Sequence, residues 1–168
     1  MSVYHDSEGY SDGPSWFRES GDNPRANPIH DELDDFTRAY IEAALWSSTD
    51  YQTDEPLDKN YCLEDIRPQT LRLMIADCKK FQSDNMELLK GASVIRCQKS
   101  QPSENQGKWF LSPLLIRAGH DFWLTRHGHG AGFFDGDWPE PYGDKLTEAS
   151  KKYAETPLIV CNGWLEIY

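Results

Sequence analysis

The stretch that most limits what this chain can become is GHDFWLTRHGHGAGFFDGDW, residues 119–138. Three of the five histidines and five of the twelve glycines fall inside it. Its first part, 120–126, has strand composition, because Phe122, Trp123, Leu124 and Thr125 are aromatic or branched. As a strand it would place Phe122 and Leu124 on one face with His120 and Arg126, and Asp121, Trp123 and Thr125 on the other. The run His127-Gly128-His129-Gly130 continues a strand poorly, since two glycines supply no packing side chain. Glycine does reach the positive φ that tight turns need. The pattern predicts a β-hairpin with a glycine–histidine tip and a return strand over 131–135, stopped by Gly136 and Pro139.

The polar groups of this stretch define the candidate site: His120, Asp121, Arg126, His127, His129, Asp135 and Asp137. Neutral imidazole and carboxylate are common ligands of zinc and other divalent cations, so His120, His127, His129 and Asp135 are the candidate metal ligands. A bound cation would lower the pKa of water and generate a nucleophile near neutral pH. No His-Glu-x-x-His or paired-cysteine signature accompanies them. The competing reading is structural: an ordered turn whose histidines meet backbone groups or solvent. A third reading is anion capture by the amides of residues 128–132 beside Arg126. Phosphate loops normally open a helix, however, and Asp135 and Asp137 would repel the ligand.

Charge divides the chain in two. Residues 1–66 hold 16 acidic and four basic side chains, whereas residues 67–168 hold 12 acidic and 13 basic ones. The formal net charge of −11 argues against unaided binding to nucleic acid or an anionic membrane, because phosphate contact requires Lys and Arg. An acidic surface can act as a solubility device, or it can imitate DNA toward a DNA-binding protein. The four cysteines, Cys62, Cys78, Cys97 and Cys161, are widely spaced and form no C-x-x-C pair. No signal-peptide core and no run of about 20 apolar residues is present, so a reduced cytoplasmic setting is expected.

The chain length suits one domain, 31–168, preceded by a disordered polar and acidic tail over 1–30, in which Trp16-Phe17 is the one apolar pair. The spacing of Leu33, Phe36, Tyr40, Ile41, Ala44 and Leu45 predicts a helix capped by Asp31 and ending at 46–48. Residues 49–67 form a connection in which Leu57 and Tyr61 pack on the helices. A second helix is expected to start at Pro68 and end at Gly91, with Leu71, Met74, Ile75, Cys78, Phe81, Asn85 and Leu88 along one face. Residues 94–97 and 109–116 are expected as strands. Asp144 caps a third helix ending near Glu155, with Leu146, Ala149, Ser150 and Tyr153 inward. Asn162-Gly163 joins strands over 158–161 and 164–168. The order of elements predicts an α+β fold: a small, mainly antiparallel sheet of β-hairpins packed against about three helices.

The motif GHDFWLTRHGHGAGFFDGDW, with Gly143-Asp144-Lys145-Leu146-Thr147 after it, also resembles a family of small proteins encoded by phages and other mobile elements. The family's typical form reads GHDFWLTR-x-GHGAGF-x-D, then GD-x-LT. The resemblance extends through YIEAALWSS at 40–48, PLDKNY at 56–61 and Lys80-Phe81-Gln82, so it covers 33–168. It departs at 91–117, which are longer than the family pattern, and at the N-terminal extension. No catalytic role comes with the resemblance. It implies a phage-type accessory protein in the cytoplasm of a bacterial host. Residues and resemblance together point first to a non-enzymatic interaction protein that binds or inhibits a host protein. The alternatives are a metal-dependent hydrolase or nuclease centred on 120–137, and a DNA mimic acting against restriction or defence.

Overall fold

The computed structural model describes residues 33–99 and 111–168, with the side chains at 94–99 and 111–112 outside the description. Chain order is α1 (Asp35–Ser47), β1 (Thr49–Asp50), β2 (Glu55–Pro56), α2 (Pro68–Lys99), α3 (Leu111–Arg126), α4 (Tyr142–Ser150), β3 (Leu158–Cys161) and β4 (Trp164–Ile167). The fold is α+β. The strands form two separate antiparallel ladders, β1 with β2 and β3 with β4, and Ile66 adds a parallel bridge to Leu165. The tail expected over 1–30, with Trp16-Phe17, lies outside the described residues.

The first helix starts at a different cap from the one expected. Asp34, not Asp31, is the N-cap of α1: its Oδ1 accepts from the Thr37 backbone N–H at 2.7 Å. Gln82 of α2 donates to the other oxygen at 2.9 Å, so the cap also ties two helices. Burial pushes the Asp34 carboxyl up, but these hydrogen bonds, with the charge of Lys79, outweigh it and hold the group below the usual carboxylate range. The face read from spacing is the buried one: Phe36, Tyr40, Ile41, Ala44 and Leu45 are all in the core.

Helix α2 begins at Pro68 as expected, where a missing N–H leaves no bond unmade. It continues past Gly91 to Lys99, and the strand expected at 94–97 is part of it. Gly91 is there for space. A Cβ at Gly91 would lie 2.5 Å from Cε1 of Tyr142, so the missing side chain lets α4 approach α2.

The central hairpin is not formed. Residues 111–126 are a single helix, α3, and 127–137 contain no strand. Part of the stretch expected as a strand over 109–116 belongs to the same helix, with Pro113 in its first turn, where it displaces no intrahelical donor. The strand-like composition of 122–125 was overridden by packing. α3 is central, and its residues 121–126 are buried on every side because α1, α2 and α4 all touch it. Aromatic rings make the shared core. Phe81 of α2 stacks on Phe122 of α3 at 4.0 Å, Tyr40 of α1 lies 5.2 Å from both Phe122 and Trp123, and Phe133 lies 5.9 Å from Phe81.

Gly119 sets the closeness of α1 and α3. A Cβ there would fall 2.1 Å from the Phe36 carbonyl oxygen and 3.1 Å from Ala39 Cβ. α4 starts two residues before the expected cap Asp144, which lies in its first turn, and ends at Ser150 instead of near Glu155. The last hairpin matches its sequence signal: Asn162 and Gly163 have φ of 51° and 74°, the pair of positive values a two-residue turn requires. Arg67 locks this hairpin to the start of α2 through its N–H to the Leu165 carbonyl, a side-chain bond to Glu166 and a cation–π contact with Trp164.

Replacing Gly119 with Ala is expected to cost at least about 2 kcal/mol, because backbone rather than a flexible side chain blocks the new methyl. Gly130→Ala, where nothing lies within 4 Å, should stay within about 0.5 kcal/mol of the parent. Urea unfolding of the two variants checks the contrast. Equal stabilities would contradict close helix packing at Gly119.

Candidate functional site

The histidine–glycine run ends a helix. Gly128 has φ of 66°, its N–H reaches the Thr125 carbonyl at 3.4 Å, and the His129 N–H reaches Leu124 at 3.0 Å. That pair of bonds is the Schellman arrangement, with Gly128 in the left-handed position. The following loop folds back on the same helix. Thr125 Oγ1 accepts the Phe133 N–H at 3.0 Å, and a Cβ on Gly132 would lie 2.3 Å from that oxygen, at a φ of 150°. Phe133 and Trp138 thereby enter the core, 5.1 Å apart. The amides of Gly128, His129 and Gly132 are thus occupied by Thr125, Leu124 and Asp135, the last at 3.5 Å. The anion-capture arrangement is not what this loop presents.

Arg126 is the most heavily committed of the candidate residues. It is buried, and its Nε donates to the Ala154 carbonyl at 2.6 Å. Its Nη1 donates to the Tyr40 hydroxyl and to Asp77 Oδ2, each at 2.8 Å. The guanidinium also lies over the Tyr153 ring at 5.6 Å. Burial pushes the Tyr40 phenol far above its ordinary range, against the pull of Arg126, so it remains a neutral acceptor for the guanidinium.

His127 is held from both nitrogens. Its Nδ1 lies 2.9 Å from the Trp123 carbonyl, and its Nε2 accepts the Thr156 N–H at 3.1 Å. Nε2 also lies 3.2 Å from the Thr156 carbonyl oxygen, so both ring nitrogens face backbone and their donor and acceptor roles follow the tautomer. The ring stacks on Trp123 at 3.7 Å. Burial pushes its pKa down, the neighbouring Arg126 charge adds to this, and the backbone bonds only partly oppose it. Trp123 in turn donates from Nε1 to Ser47 Oγ at 2.9 Å, tying α3 to the end of α1.

Asp121 lies on a different side. It is buried, and it accepts the Trp138 indole N–H at 2.5 Å, with Arg117 Nε at 3.6 Å. Burial raises its pKa more than Trp138 and Arg117 lower it. Arg117 also pairs with Asp137, so one guanidinium joins two of the candidate carboxylates. Asp135 accepts the Asp137 N–H at 3.2 Å and turns the loop. His120 faces α1, with Nε2 3.5 Å from Glu42 Oε2. Among the described residues that buried nitrogen has no hydrogen-bond partner. His129 is half-exposed at the loop.

The structure therefore brings Asp121 and Asp137 together through Arg117, and brings Asp135 to Asp137 through the backbone. It does not gather the imidazoles. His120 and His127 are two helical turns apart, about 10 Å along the axis, and His127 has both nitrogens occupied by backbone. Among the described residues, no three His, Cys, Asp or Glu side chains stand together as a ligand set for an ion. The sequence does not place in the site several partners that give these residues their roles: Arg117, Trp138, Asp77, Tyr40 and Thr156. The i, i+4 spacing of Arg117 and Asp121 signals a pair only once the segment is known to be helical. Compared with protein-family models, curated proteins and solved structures, the chain matches none of them.

Two titrations follow. The His127 pKa is depressed in the folded state, so the unfolded chain takes up its proton first as pH falls. Stability from this group is complete above about pH 7 and is lost as pH drops through the unfolded value near 6.5. His127→Gln should flatten the decline between about pH 7 and 5 in urea midpoints, and an unchanged slope would contradict the assignment. Asp121 has the opposite sign. Its raised folded pKa means its ionisation costs stability as pH rises through the folded value, so Asp121→Asn, which keeps an acceptor for Trp138, should be at least as stable as the parent at pH 7. A loss of more than about 1 kcal/mol there would show that the carboxylate charge itself is needed.

Proposed function

We propose that the chain is a non-enzymatic interaction protein, a small acidic accessory protein of phage type that binds or inhibits a bacterial host protein carrying a basic surface. The observation that carries this reading is the exposed turn after α1. Between Arg38 and Lys59 there is no Lys or Arg, while Glu42, Asp50, Asp54, Glu55 and Asp58 fall in that interval. Tyr51 is 71% exposed and Trp46 43% exposed, and Asp54, Glu55 and Asp58 are exposed beside them. Tyr and Trp are enriched among the residues that anchor protein interfaces.

The turn is also built to hold its shape. Buried Asp50 accepts the Gln52 N–H through Oδ1 at 2.9 Å, and its carbonyl receives the N–H groups of Thr53 at 3.3 Å and Asp54 at 2.8 Å. The β1–β2 ladder and the Leu57 N–H to Ser48 carbonyl bond, at 2.9 Å, close its base. A surface already ordered loses less entropy on binding. Its charge favours a basic protein and repels phosphate. No helix of the described residues is long and apolar enough to cross a membrane.

The test is capture from bacterial lysate by the full chain and by the variant Tyr51→Ala/Asp54→Lys/Glu55→Lys. The parent should retain a basic protein stoichiometrically, more weakly as salt rises. The variant should lose it at least tenfold while unfolding at the same urea concentration. Equal retention, or no stoichiometric partner for the parent, would overturn the proposal. Displacement of the partner by duplex DNA would assign the same surface to DNA mimicry, the reading that the exposed Asp54, Glu55 and Asp58 also support.

A further inference from the structure

We draw no further inference here: the strongest candidate, the apolar crevice between α1 and the turn at Leu63, lined by Leu33, Ile41 and Leu45 with Arg38 and Glu42 at its edge, carries nothing because nothing among the described residues shows what covers it.

Discussion

A guanidinium taken out of water must be paired, and the way this protein pairs Arg126 joins parts of the chain that are far apart in sequence. Its partners come from α1 through Tyr40, from α2 through Asp77, and from the segment after α4 through the Ala154 carbonyl. Transfer of an unpaired charge into the interior costs several kcal/mol, so these elements are fixed to α3 at the places that supply the missing bonds. A helix end without apolar neighbours would not need such an arrangement. α3 needs it because the turn that carries Arg126 also carries Phe122 and Trp123, which the core takes in.

From this point the remaining features of the histidine–glycine stretch become intelligible as ways of ending a buried helix. The backbone carbonyls of its last turn have no water to turn to. Gly128 and His129 answer two of them by a left-handed step, and His127 answers a third with its ring as well as its amide. Thr125 then anchors the returning loop so that Phe133 and Trp138 close the aromatic cluster, and Trp138 gives its indole hydrogen to Asp121. At the other side of the helix, Gly119 lets α1 lie almost against the backbone. Each of these residues meets a local need of the fold.

How much of this the sequence disclosed depended on whether the signal was local. The buried face of α1, the start of α2 at Pro68 and the Asn162-Gly163 turn are short-range patterns, and they are found where the pattern placed them. Gly91 and Gly128 show why other readings failed. Glycine reports that a side chain is unwelcome without saying whether the reason is dihedral or spatial. Gly91 read as a helix end is a packing gap for Tyr142, and Gly128 read as a hairpin tip is a helix end. For 120–126, aromatic and branched composition signals a strand, although Leu114, Ala118 and Phe122 keep helical spacing when the segment is read from 111. The site was legible as a group of residues and not as an arrangement, because Asp77, Thr156 and Tyr40 are far away in the chain.

Arg126, His127 and Asp121 are bonded within the fold, whereas Tyr51, Trp46, Asp54, Glu55 and Asp58 stand in solvent. The claim beneath this division is that Arg126 holds the fold together and is not a reagent waiting for a substrate. A double-mutant cycle of Arg126→Met and Asp77→Asn, read by urea unfolding, tests it most directly. The expected result is a loss of about 2–4 kcal/mol for Arg126→Met and a coupling of at least about 1 kcal/mol between the two sites. An Arg126→Met protein as stable as the parent, with no coupling to Asp77, would contradict it.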